Sequence, residues 1–115
     1  MVIQKFYIYN IQSVEPAAIE FAEKLVRVCE ILCAIMNEFE NFKRSKKIRE
    51  LIIDLNDLEE ECDKLYLSSM RELTKNSTDV LTTISWRDIY ERFELCVDAC
   101  EHASECVGTV IMKNT

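Results

Sequence analysis

The chain has 115 residues, one glycine, one proline and a formal net charge of −7. That length holds one domain with a modest core. The scarcity of turn residues points away from a sheet and towards a few long helices, and the negative charge excludes nucleic acid as the main partner, because phosphate backbones are met by Lys/Arg surfaces.

Residues 1–13 alternate loosely between apolar and polar, as at Phe6, Ile8 and Ile11, and are predicted to form an extended N-terminal arm. Residues 14–115 are predicted to form a three-helix bundle domain. Ser13 and Pro16 suit a helix start, since proline is tolerated in a first turn. The first helix is predicted over about 15–44. Its apolar residues keep a heptad beat through Ala18, Phe21, Leu25, Val28, Leu32, Ile35, Phe39 and Phe42, with Ala22, Cys29 and Met36 widening the stripe. Lys43, Arg44, Lys46, Lys47 and Arg49 interrupt the pattern and leave a local patch able to face an anion.

Ser45 suits the N-cap of a second helix over about 46–76. Ile48, Leu51, Leu55, Leu58, Cys62 and Leu65 repeat the beat, with Ile52, Tyr66 and Met70 alongside. Asn76 to Thr83 is polar and predicted as the turn. Ser85 then reads as an N-cap, with Asp88 three residues later and Ile84 stapling onto Ile89. The third helix, about 86–112, is expected to bury Ile89, Phe93, Cys96, Cys100, Ala103, Val107 and Val110. Three such stripes with short connections predict an all-α fold, an antiparallel three-helix bundle.

The longest uninterrupted apolar run, Ile31 to Met36, is too short to span a bilayer. No basic stretch followed by a long apolar run marks a signal peptide. The expected location is the cytoplasm, free or peripheral to the membrane. Six cysteines in that compartment read as small buried thiols. A zinc site from Cys96, Cys100 and His102 is the alternative, with a spacing unlike common structural zinc sites.

Two acidic pairs stand out. Glu59 and Asp63, and Glu94 and Asp98, are each four residues apart, so each puts two carboxylates on one helix face. Like charges at that spacing repel, so a chain that does it twice suits a cation held between them, and a solvated acidic face is the alternative. Asn56 extends the first row. Glu101 and Glu105 continue the second. Folding the second helix on the third about a turn near residue 81 brings Asp63 level with Ala99 and Glu59 level with Ala103. Whether the rows face each other depends on the hand of the bundle. Converging carboxylates favour oxygen-loving cations such as iron, manganese, magnesium or calcium. A di-iron oxidase would need Glu-x-x-His pairs. His102 is the one histidine, and Ala99 precedes it by three.

These residues resemble a known family. Ile53-Asp54-Leu55-Asn56-Asp57-Leu58-Glu59-Glu60-Glu61-Cys62-Asp63 looks like its N-x-x-E-x-x-x-D helix. Trp86-Arg87-Asp88-Ile89-Tyr90-Glu91, then Glu94 to Asp98, then Cys100-Glu101, looks like its W-[KR]-[DE]-I-Y-E…E-x-x-x-D-x-C-E segment, and Gly108 to Lys113 is similar to its closing stretch. The family is the PhoU-like phosphate-transport regulators, in the Pit-accessory branch. The resemblance implies three-helix units, metal clusters on repeated E/D-x-x-x-D motifs and a regulatory role beside a phosphate permease at the inner face of the membrane. It assigns Glu59, Asp63, Glu94 and Asp98 to the metal motifs, with Asn56 and Glu101 inside the matched segments. Members usually carry two related halves, and this chain resembles the second. A fragment, a truncated frame or a half-length member pairing with itself, most simply as a homodimer, all fit that departure.

The expected function is therefore a non-enzymatic, metal-binding accessory protein of phosphate transport, taking iron, manganese, magnesium or zinc. No catalytic residue is assigned. A plain structural bundle without metal and a carboxylate-bridged metalloenzyme are the competing readings.

Overall fold

In a computed structural model, which describes residues 16–76 and 79–114, each apolar stripe becomes one helix. The helices are α1 (Pro16–Phe39), α2 (Ile48–Asn76) and α3 (Val80–Lys113). Among the described residues there is no strand. The predicted arm over 1–13, and Ser13 with it, lies outside the described residues.

Two apolar clusters set the direction of the helices. One joins Ala18 and Phe21 of α1, Cys62 and Leu73 of α2, and Trp86, Ile89, Tyr90, Phe93 and Val97 of α3. The other joins Val28 and Ile35, Ile48, Leu55 and Leu58, and Val107 and Ile111. The early half of α1 thus meets the late half of α2 and the early half of α3. Helices α1 and α3 run parallel, and α2 runs against both. The bundle is 55 Å long and 24 by 20 Å across. Phe21 stacks on Phe93 with ring centroids 5.1 Å apart, a contact that pins α1 to α3 beyond its buried area. Lys24 on α1 reaches Glu61 on α2 at 3.1 Å.

The ends differ from the sequence expectation. Helix α1 stops at Phe39 rather than near 44, and 40–44 form turns. The turn carries Phe42 back towards the core, its ring 5.8 Å from that of Phe39. Helix α2 begins at Ile48 rather than 46. Ser45 Oγ accepts from Lys47 N–H at 3.3 Å just before it and donates to Glu38 at 2.6 Å, and Leu51 N–H bonds the Lys47 carbonyl at 3.0 Å.

Helix α3 starts at Val80, a turn and a half before the expected 86. Asp79 is its N-cap: the carboxylate accepts from Leu81 N–H at 3.1 Å and from the Thr82 hydroxyl at 2.7 Å. These donors hold the Asp79 carboxyl below its ordinary value. Ser85, expected as the cap, lies inside the helix, buried, and its hydroxyl donates to the Leu81 carbonyl at 2.8 Å. Ile84 is 52% exposed while Ile89 is fully buried, so the expected staple does not form.

The buried face of α3 also differs. Trp86, Ile89, Tyr90, Phe93, Val97, Ser104, Val107 and Ile111 are buried, and Cys100 is half-buried. Cys96 is exposed, Ala103 is half-buried and Val110 is 41% exposed. The two frames share Ile89, Phe93, Cys100 and Val107. The observed one adds Trp86, Tyr90, Val97 and Ile111, and burying a large apolar side chain contributes roughly 1.5–3 kcal/mol. That outweighs Cys96, Ala103 and Val110. On α1, Cys29 is exposed and Met36 is 52% exposed, so neither widens the core stripe. Among the described residues no helix is long and apolar enough to cross a membrane.

The register of α3 is testable. Ile111→Ala should cost about 2 kcal/mol, the lower end for a buried isoleucine because the site is near a helix end. Val110→Ala should stay within about 0.5 kcal/mol. Urea midpoints at constant slope measure both, and equal costs would overturn the observed frame.

A second test uses the one glycine, which sits inside α3. A methyl group on Gly108 would meet Ile52 Cδ1 at 3.8 Å, an ordinary contact. Gly108→Ala should therefore raise stability by about 0.4–1 kcal/mol in the same titration.

Candidate metal centre

Helices α2 and α3 pack side by side, and each carries one acidic row beside its buried face. At about 100° per residue, Glu59 and Asp63 fall on the α3 side of the α2 stripe, and Glu94, Asp98, Glu101 and Glu105 on the α2 side of the α3 ridge. The hand of the bundle turns these rows towards each other. Glu59, Glu94 and Asp98 each bring one carboxylate oxygen within 4.8 Å of the others.

Expected level with Ala103, Glu59 sends its carboxylate to Glu94 and Asp98, while Glu105 acts on it from further along α3. The helices keep close to the expected register, since Gly108 stands against Ile52.

Glu94 is the centre of the set. Both of its carboxylate oxygens are buried, and neither has a hydrogen-bond partner among the described residues. Burial first, then the charges of Asp98, Asp63 and Glu59, push its carboxyl up to about 7. Glu59 is raised by burial first, then by Asp63 and Asp98. Asp98 is exposed and forms the open side. Cys62, fully buried beside the cluster, has its thiol pushed up to about 11 by burial first and by Glu94 next.

Of the sequence-assigned residues, the structure gathers Glu59, Glu94 and Asp98. Asp63 acts on the same charges but is exposed and stands outside the close trio. Asn56 is half-buried, and its Oδ1 is buried without a partner among the described residues. Glu101 hydrogen-bonds to Glu105, which with burial and the Glu105 charge raises its carboxyl to about 7. It continues the acidic row rather than joining the trio. His102 is exposed and about 200° round α3 from Cys100, so the zinc set of Cys96, Cys100 and His102 does not assemble.

The donor set suits a hard cation. Three carboxylate oxygens within 4.8 Å of one another, with the Asn56 amide one turn from Glu59 on α2, are the kind of oxygen ligands that magnesium, calcium and manganese take. The orphaned Glu94 carboxylate supplies the independent reason. A buried anion without a partner is costly, and a cation removes the cost.

No protein-family model matches the chain. It is similar to the UPF0111 protein YkaA of Bacillus subtilis (strain 168), with 37% identity over 91 residues. The match covers 77% of this chain and 43% of that protein, so the chain spans less than half the length of this relative.

Metal-free protein should lose stability as pH rises. Unfolded, Glu94 titrates near 4.5, and folded near 7. Between those values the folded chain holds a proton the unfolded chain has released, so stability falls through this window and levels off above it. Glu101, raised as well, acts in the same direction. Glu94→Gln should flatten the profile, read by chemical denaturation in chelator at several pH values. A profile that rises with pH in the same window would contradict the buried, raised carboxyl.

Proposed function

We propose that this chain is a non-enzymatic, cation-dependent helical module that regulates inorganic phosphate transport beside a phosphate permease at the inner face of the membrane. The observation behind the cation half is the Glu94 carboxylate, buried and without a partner among the described residues, with Glu59 and Asp98 oxygens within 4.8 Å. Iron, manganese, magnesium or zinc at this point supplies the positive charge that turns repulsion into coordination. Glu59 from α2 and Glu94 and Asp98 from α3 would hold the ion, with Asp63 and Asn56, each about a turn from Glu59 on α2, as further oxygen donors. Holding it ties α2 to α3 at mid-bundle. Cation occupancy then sets the stiffness of the bundle, a change that a permease can read.

The phosphate half rests on the PhoU-like motifs, which run through Asn56, Glu59 and Asp63 on α2 and through Trp86 to Glu101 on α3. In this reading a second copy supplies the half that two-half relatives carry in one chain, giving a homodimer. Ile19 and Val26, a heptad apart on α1, and Ile53 and Leu67, two heptads apart on α2, are each more than half exposed and offer apolar surface for it.

Added cation should raise stability by about 2.7 kcal/mol at a hundredfold excess over its dissociation constant. Glu94→Gln with Asp98→Asn should abolish that gain while the helical circular dichroism stays unchanged. Equal melting with and without all four cations would refute the cation half. In cells lacking the chain, labelled phosphate uptake should respond to the wild type and not to the double variant. Uptake indifferent to both would refute the regulatory half. Sedimentation at tens of micromolar should show a dimer.

A further inference from the structure

The charge of the chain is divided unevenly. Lys43, Arg44, Lys46, Lys47 and Arg49 fall within seven positions that hold no acid. The chain has 14 cations and 21 acids in all, so the rest of it sets nine cations against those 21 acids, a formal −12. All five clustered cations are exposed, and none has an ion pair among the described residues. They occupy the connection from α1 to α2 and the first turn of α2, at the end of the bundle where Ile35, Ile48 and Ile111 pack together. Lys113, in the last turn of α3, joins them there. Glu38, Glu40 and Glu50 stand against these six cations, so this end is net positive on an acidic protein.

Apolar surface lies open beside the cations. Met112 is 78% exposed and Ile53 is 58% exposed. Both line a cleft of about 600 Å³ between α2 and α3, together with Ile52 and Gly108. Arg49 lines the cleft at the tip of the bundle, and Glu105, about two turns before Met112 on α3, lines it at the other end. Cations beside open apolar side chains suit the interface of an anionic bilayer, where phosphates lie above acyl chains. Nucleic acid would meet the cations but leave Met112 and Ile53 in water. No described helix is long and apolar enough to cross a bilayer, so the contact is with its surface.

We propose that the basic end of the bundle is a docking face for an anionic phospholipid bilayer. The bundle stands on this end and leans to its cleft side. Lys43, Arg44, Lys46, Lys47 and Arg49 meet the phosphates, while Met112 and then Ile53 enter between the headgroups. The acidic flanks disfavour lying flat. Glu94 precedes Lys113 by 19 residues, about 28 Å along α3 at 1.5 Å per residue. Even at a lean of about 45° it stays about 20 Å from the surface, more than two Debye lengths of about 8 Å, so the acidic rows do not oppose this pose. The face lies apart from the carboxylate trio and needs no second protein, so it does not rest on the permease reading.

The test sediments the full chain, in chelator, with protein-free vesicles of phosphatidylcholine alone or mixed equally with phosphatidylglycerol. The chain should bind the mixed vesicles and not the neutral ones, and high salt should release it. Lys46→Gln with Lys47→Gln should weaken binding about 25-fold, since each cation near such a surface contributes about fivefold. Ile53→Ser with Met112→Ser, at exposed positions, should weaken it about tenfold with the helical circular dichroism unchanged. Arg71→Gln with Lys75→Gln, exposed at the other end of the bundle, should change nothing. Inorganic phosphate at constant ionic strength should not compete, which separates a bilayer from a free phosphate ion. Glu94→Gln with Asp98→Asn should bind as wild type does, so failure of the metal centre and failure of this face are distinguishable. No binding to the mixed vesicles, equal binding to the neutral ones, indifference to either the Lys46/Lys47 or the Ile53/Met112 pair, an equal loss in Arg71→Gln/Lys75→Gln, or displacement by phosphate would overturn the proposal.

Discussion

The apolar ridge of α3 governs the rest of the molecule. Trp86, Tyr90, Phe93, Val97, Val107 and Ile111 press into the space between α1 and α2. Once that ridge faces inward, the rotation of α3 about its axis is decided. Everything else on the helix follows by angle: carboxylates fall on the α2 flank and thiols on the α1 flank. The energies agree with this order of control. Each large buried side chain contributes roughly 1.5–3 kcal/mol, whereas a like-charge pair one turn apart costs about 0.2–0.5 kcal/mol. The core can impose a repulsive arrangement on the acidic rows without being displaced by it.

What the core imposes at mid-bundle is a stored electrostatic tension. Glu94 is the sharpest case, because burial removes its water and the helix–helix contact supplies no donor. In the metal-free chain its raised carboxyl relieves part of the tension by holding a proton. A cation bound as proposed would compete with that proton. Asp98, exposed, keeps the cluster in contact with solvent.

The thiols on α3 follow from the same geometry: Cys100 meets Cys29 of α1 on the other flank. Residues two apart on α3 point about 200° away from each other, so Glu94 and Cys96, or Asp98 and Cys100, cannot share a ligand sphere. A single helix therefore turns carboxylates towards one neighbour and thiols towards the other. Lys24 and Glu61 close the third interface, between α1 and α2, by an ordinary ion pair.

Much of this was legible in the sequence. Three heptad stripes and the scarcity of glycine and proline determined an all-α three-helix bundle, and the spacing of Glu59, Asp63, Glu94 and Asp98 determined the acidic faces, because both are local periodicities of a helix. The start of α3 was misread because Ser85 looks like a cap, while Asp79, with Leu81 and Thr82 as its donors, caps better six residues earlier. Cys96, Ala103 and Val110 were expected inside because they keep a heptad with Phe93, but so do Val97 and Ile111 in the neighbouring frame. Only the tertiary structure decided between those frames, the hand of the bundle and the meeting of Cys29 with Cys100. The physical reason is that each depends on how three helices share one core, and periodicity within a single helix is the same for every such arrangement.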